Sequence, residues 1–246
     1  PYTILDEREE LALQQIQNAI VQVKNESISH VLLIRKGLFG KYKLQKEVEN
    51  DYPLSREEAL KITVAHLKER DIVVSTTGKL SRELYEYRTA LGQGHARDFL
   101  TVGSMGHASS IALGIAIEKT DREVFCFDGD GAFIMHMGAI SNIGELAPMN
   151  YRHFVFNNGA HESVGGQPTA AFYLDIPAVA KACGYKHVFV AKTKDELERI
   201  LMNIREVKGP VLLEIRVRID SRGDLGRPAT SPVENKHDFM NFLKNG

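Results

Sequence analysis

A chain of 246 residues, 43% apolar and 26% charged, has the composition of a globular protein, with room for one sizeable domain and part of another. Its formal net charge of −1 gives no electrostatic reason for nucleic acid or an anionic membrane to be the main partner. Two cysteines suggest no disulfide framework, which fits the reducing cytoplasm, and no apolar run reaches membrane-spanning length.

In chain order, residues 6–24 carry Leu11, Ile16, Ala19, Ile20 and Val23 at roughly helical spacing, with acids in the first turn, and residues 30–34 read as a buried strand. Residues 36–54 are polar, lysine-rich and without period, which reads as a linker. Residues 1–35 therefore read as the last helix and strand of a domain whose remainder lies outside the sequence, the alternative being that they extend the sheet that follows. A new start follows at Ser55, where Ser55 and Glu58 have capping-box spacing before a helix. Strands are expected at 71–75, 98–102, 124–127, 153–156, 188–190 and 211–217, alternating with helices after each glycine-containing turn. That alternation predicts an α/β fold over 55–246, a parallel sheet with helices on both faces. A charged, glycine-containing tail at 220–228 precedes a short terminal helix at 234–244.

The chemistry collects where strands end. The run at 124–127 stops in Asp128-Gly129-Asp130-Gly131, and the run at 153–156 stops in Asn157-Asn158-Gly159-Ala160. In an open parallel sheet these ends share one rim, where ligands bind. A carboxylate at Asp130, between two glycines, repels phosphate unless a cation lies between them, and Mg²⁺ suits that place. Asn158 offers an amide oxygen and Ala160 a carbonyl. A lone Gly-Asp-Gly is more often only a turn, but here Asn157-Asn158 follows with residues 132–156 between.

That pairing resembles the signature of thiamine-diphosphate enzymes. The resemblance implies Asp130, Asn158 and Ala160 as Mg²⁺ ligands, and Gly129, Gly131 and Ala132 as cofactor contacts. Thr76 and Thr77 resemble the hydroxyl-bearing strand end that touches the diphosphate. The loop Gly103-Ser104-Met105-Gly106 resembles the one in the thiamine-dependent 2-oxo acid decarboxylases that bends the cofactor, with Gly103 offering its carbonyl and Met105 the apolar wedge. The run 157–169 and the tail Gly-Asp-Leu-Gly-Arg-Pro at 223–228 are similar to those of the phosphonopyruvate decarboxylase family. The implied cofactors are thiamine diphosphate and Mg²⁺, and the implied substrate is 3-phosphonopyruvate. Sulfopyruvate decarboxylases are the nearest alternative, and a non-catalytic Mg²⁺–diphosphate module is the alternative from another class. An acetohydroxyacid synthase-like enzyme would carry a middle domain for which the linker is too short.

For the phosphonate, Arg222 and Arg227 in the tail offer guanidinium donors. A salt-bridged surface loop is the competing reading of that segment. His161 and Ser163, just past the metal loop, are candidate catalytic residues, and Gly165-Gly166 would let 161–169 act as a lid. The family's activating glutamate belongs to a separate pyrimidine-binding domain and has no counterpart in residues 1–35. A homodimer or homotetramer, or a partner supplying that half, is therefore expected.

Overall fold

The structure is a computed structural model that describes residues 1–40, 43–46, 48 and 50–245. Part of the linker expected at 36–54 thus lies outside the described residues. Two compact units form, Pro1–Gln45 and Lys46–Gly246.

The small unit is one strand–helix–strand. Strand β1 (Tyr2–Ile4) pairs in parallel with β2 (Val31–Leu33), and α1 (Glu9–Glu26) connects them. β1 is an addition to the sequence reading: three residues are too few to show a period. Tyr2, Ile4, Val31 and Leu33 alternate with half-buried neighbours and all remain exposed. One face of the pair is therefore apolar and uncovered, although parallel strands are normally covered on both faces.

The large unit opens at α2 (Arg56–Ala65) with the expected reciprocal cap: Ser55 Oγ accepts from the Glu58 N–H, and the Glu58 carboxylate accepts from the Ser55 N–H. Then come β3 (Ile72–Ser75), α3 (Lys79–Ala90), β4 (Asp98–Leu100), α4 (Ala108–Glu118), β5 (Val124–Gly129), α5 (Asp130–Met135), α6 (Ala139–Leu146) and β6 (Tyr151–Asn157). A small antiparallel hairpin follows, β7 (Ala160–His161) with β8 (Gln167–Pro168), joined through a 3₁₀ turn at Glu162–Val164. The chain ends with α7 (Ile176–Ala182), β9 (His187–Ala191), α8 (Lys194–Asn203), β10 (Val211–Arg216) and α9 (Pro232–Asn245).

Six strands form one parallel sheet in the order β4-β3-β5-β6-β10-β9. Period-two alternation splits its side chains between two cores. Val73, Phe125, Phe127, Phe154 and Leu213 pack with Leu60, Leu84, Leu197 and Leu201 of α2, α3 and α8. Ile72, Val74, Cys126, Val155 and Leu212 pack with Ala112, Ile143, Ala180 and Phe239 of α4, α6, α7 and α9. Each fully buried aliphatic side chain contributes about 1.5–3 kcal/mol. Ala108, Ala112 and Ala116 are buried along α4, so small side chains let that helix lie close to the sheet.

One expectation needs correction. The segment after Gly131 reads as a single helix but forms two, because the backbone leaves helical geometry at His136 and restarts after Gly138. The His136 ring lies against His107, with centroids 4.0 Å apart, which ties the break to the loop before α4. Both cysteines are free. No helix among the described residues is long and apolar enough to cross a membrane.

Candidate active site

The sheet order places the rim. From β3 the chain moves outward to β4, then returns to the other side of β3 with β5, so the order reverses between β3 and β5. A crevice outside the carboxyl ends of the strands belongs at such a reversal. A cavity of about 540 Å³ lies there. Thr76 and Thr77 reach it from the end of β3, Gly129 to Ala132 from the β5–α5 turn, and Asn158, Ala160, His161 and Ser163 from beyond β6. Met105 and Arg227 complete the set of sequence-predicted residues that line it; Gly103, Ser104 and Arg222 do not.

Asp130 is the electrostatic centre. β5 and β6 pair with Asp128 opposite Val155 and Gly129 opposite Phe156, so the two polar strand ends lie side by side. Asp130 is 3% exposed, and burial pushes its carboxyl up to about 6 against the opposing hydrogen bond from Thr169. An acid held that high by desolvation is a carboxylate suited to a cation. Thr169 was not singled out from sequence; the β7–β8 hairpin brings it back so that its hydroxyl donates to Asp130. Below the turn, Asp128 accepts from the Gly129 N–H at 3.0 Å and lies 3.3 Å from His153 Nε2, whose other nitrogen is 3.0 Å from the Tyr185 hydroxyl.

The residues fit a diphosphate held through a divalent cation. Asp130 supplies a carboxylate, Asn158 an amide and Ala160 a carbonyl, a hard oxygen set. Thr76 Oγ1 is buried on the cavity lining and has no hydrogen-bond partner among the described residues, as befits a hydroxyl kept for a ligand oxygen. Gly131 lacks a side chain for a steric reason: a Cβ there would lie 2.5 Å from the His161 ring and 3.2 Å from Met105 Cε. His161 and Met105 therefore flank that turn from opposite loops. Gly103 and Ser104 both have positive φ, 69° and 44°, and Ser104 pays for this as a non-glycine residue in the left-handed region. Their side of the loop faces outward, with only Met105 turned to the cavity.

The tail separates the two arginines. Arg222 is engaged by Glu57, Glu86 and Asp224 outside the cavity, the salt-bridged arrangement weighed against a substrate role. Arg227 lines the cavity and makes no ion pair among the described residues. The tail is held over the cavity by Arg82, which donates to the carbonyls of Leu225 and Gly226, and by Glu86, which accepts from the Gly226 N–H.

Sequence reasoning gave no site role to Arg56, Lys79, Arg82 or Glu162, all on the cavity wall. A signal was present. Arg56 and Lys79 are the first residues of α2 and α3, where the helix dipole disfavours cations. A local rule broken twice at neighbouring helix starts marks a functional wall. Ser163 Oγ accepts from the Lys79 N–H at 3.0 Å, so its oxygen pins the hairpin to the start of α3.

Residues 76–215 match the thiamine pyrophosphate enzyme family, C-terminal TPP binding domain, and the chain belongs to that family. Within it, the chain is 40% identical over 189 residues to phosphonopyruvate decarboxylase of Streptomyces viridochromogenes, covering 77% of this chain and 46% of that protein. It is 32% identical over 195 residues to the sulfopyruvate decarboxylase subunit beta of Methanocaldococcus jannaschii, covering 78% of this chain and 98% of that subunit. The chain thus spans under half the length of the first relative and nearly all of the second. Benzoylformate decarboxylase from Polynucleobacter necessarius shares the fold, with a TM-score of 0.53 at 18% identity over 72% of this chain and 36% of that one.

Proposed function

We propose that this chain is the diphosphate- and Mg²⁺-binding half of a thiamine-diphosphate-dependent decarboxylase converting 3-phosphonopyruvate to phosphonoacetaldehyde and CO₂. The observation that carries this is the convergence of buried Asp130, Asn158 and the unpartnered Thr76 hydroxyl on one cavity at the sheet's reversal point. The 40% identity to a phosphonopyruvate decarboxylase supports the choice of substrate.

Thiamine diphosphate, when bound, supplies the electron sink for the departing carboxylate. Asp130, Asn158 and the Ala160 carbonyl would hold Mg²⁺ for the diphosphate, and Thr76, Thr77 and the Gly129–Ala132 turn, which line the same cavity, would contact that group. Met105, the residue of the Gly103–Gly106 loop on the cavity lining, would back the cofactor and orient its reactive end, while Gly103 would offer its carbonyl on the outward side of that loop. His161 and Ser163 sit in the β7–β8 hairpin, which covers the cavity and excludes water. Arg227 meets the phosphonate dianion. Arg222, with its carboxylate partners, holds the tail instead.

In this reading residues 1–35 are the end of a pyrimidine-binding domain joined by the 36–54 linker, and 55–246 form the diphosphate-binding domain. The exposed apolar face of Tyr2, Ile4, Val31 and Leu33 supports further covering structure there. The activating glutamate comes from that half, and the active protein is a cytoplasmic homodimer or homotetramer. A second reading, sulfopyruvate decarboxylase, is favoured by the 98% coverage of a beta subunit. In that case a partner chain supplies the other half.

The test is CO₂ release by the full-length protein, or by this chain with its partner half, given thiamine diphosphate and Mg²⁺. Faster turnover of phosphonopyruvate than of sulfopyruvate is expected. The reverse preference selects the second reading, and no release from either refutes both.

A further inference from the structure

Two helices that begin with a cation meet one loop. Arg56 at the start of α2 is 7% exposed and forks onto Glu83 of α3, with Nη2 and Nε at 2.7 and 2.8 Å from the two carboxylate oxygens. Glu83 is 1% exposed, so this pair is buried and closed. The remaining arm, Nη1, donates to Glu162 Oε2 at 2.6 Å, and Lys79 Nζ lies 3.8 Å from the other oxygen. Arg56 Nη2 also donates to Ser221 Oγ at 2.8 Å, bringing in the segment before the tail. Glu162 and Ser163, consecutive in the hairpin turn, are thus fastened to the starts of two different helices.

The same Glu162 oxygen accepts from Asn158 Nδ2 at 3.0 Å. That contact carries information a packing contact would not. The two ends of an amide have nearly the same shape but opposite hydrogen-bonding character. A carboxylate beside one end forces the NH₂ there, since a carbonyl oxygen would be repelled. Asn158 Oδ1 is thereby turned to the other side, where it accepts from the Ala160 N–H at 3.0 Å. Asn158 is 3% exposed, so water does not blur this choice.

We infer that Glu162, held by Arg56, is a positioning residue that fixes which end of the Asn158 amide carries the oxygen and so presents that oxygen to the metal. The inference rests on the reading of Asn158 as a ligand of Mg²⁺. Partners that orient metal ligands typically matter by about 10- to 100-fold in metal affinity. The arrangement also separates this role from folding. Glu162→Ala leaves Arg56 on Glu83, one cation with one carboxylate, so no buried charge is stranded.

The experiment measures Mn²⁺ binding, by the loss of free-ion electron paramagnetic resonance signal, to the full-length protein with thiamine diphosphate. Glu162→Ala should raise the Mn²⁺ dissociation constant about 10- to 100-fold. Its metal-free unfolding temperature should stay within about 4 °C of the wild type. Glu162→Gln keeps an acceptor for the Asn158 NH₂ and should recover most of the lost affinity. Wild-type affinity in Glu162→Ala overturns the inference. So does a loss in Glu162→Gln equal to that in Glu162→Ala, because the carboxylate would then act as a ligand or by its charge. Absence of Mn²⁺ uptake by the wild type overturns the underlying reading of the metal site instead.

Discussion

At the scale of single residues, burial sets the charge of Asp130 against the stability of the fold. Its carboxyl is held near 6, above the ordinary value of 3.8, because burial disfavours the charged form. The folded state therefore binds this proton more tightly than the unfolded chain does. Its contribution favours the fold fully below pH 4 and is lost as pH rises from about 4 to about 6, a change of about 3 kcal/mol. In its proposed role as a metal ligand Asp130 acts as the carboxylate, so cation binding would strengthen across the same interval. Asp130→Asn should raise the metal-free unfolding temperature at pH 7 while abolishing Mg²⁺-dependent binding of thiamine diphosphate. Calorimetric melting with and without metal checks both halves, and an unchanged metal response in the variant would remove Asp130 from the site. That Asp130 and Asn158 share one rim was legible in the sequence, because adjacent glycines and strand ends mark it. Thr169 and Glu162 were not, since their contacts with Asp130 and Arg56 come from a hairpin and a helix packing that no local pattern encodes.

At the scale of elements, periodicity located most strands and helices to within a few residues. The exceptions have local causes. β1, β7 and β8 are two or three residues long, shorter than any readable period. The α5–α6 break falls at His136, whose ring lies against His107 of another loop. The α6–α7 contact is similarly invisible in sequence. A Cβ on Gly144 of α6 would lie 1.6 Å from the Cys183 carbonyl oxygen at the end of α7, where only hydrogen fits. Backbone cannot yield as a side chain can, so Gly144→Ala should destabilise by about 2 kcal/mol or more, despite alanine's better helix propensity. Urea denaturation would show this as a lower midpoint at unchanged slope. A stabilised variant would mean that the two helices are not in contact as described.

At the scale of the whole molecule, a chain with net charge −1 gathers Arg56, Lys79, Arg82 and Arg227 around one cavity. Three of these already have partners: Arg56 and Lys79 lie against Glu162, and Arg82 holds tail carbonyls. Arg227 alone of the four has no partner among the described residues, which fits its proposed place against a substrate anion. Arg227→Ala should raise KM for the anionic 2-oxo acid about 10-fold or more, in line with the loss of a charged hydrogen bond. The dissociation constant for thiamine diphosphate with Mg²⁺ should change little. Parallel losses in both constants would instead place Arg227 against the cofactor.

The sequence by itself determined the layered α/β architecture, the shared rim of Asp130 and Asn158, and the family resemblance, because strand periodicity and turn chemistry act over a few neighbouring residues. Only the tertiary structure decided which arginine reaches the cavity. Arg222 and Arg227 are indistinguishable as residues five apart in one polar segment. What divides them is the position of Glu57 and Glu86, on two helices distant in sequence, which engage Arg222 and leave Arg227 facing inward. Ion pairing between distant segments depends on where the fold puts them, and that is settled by packing rather than by any local pattern.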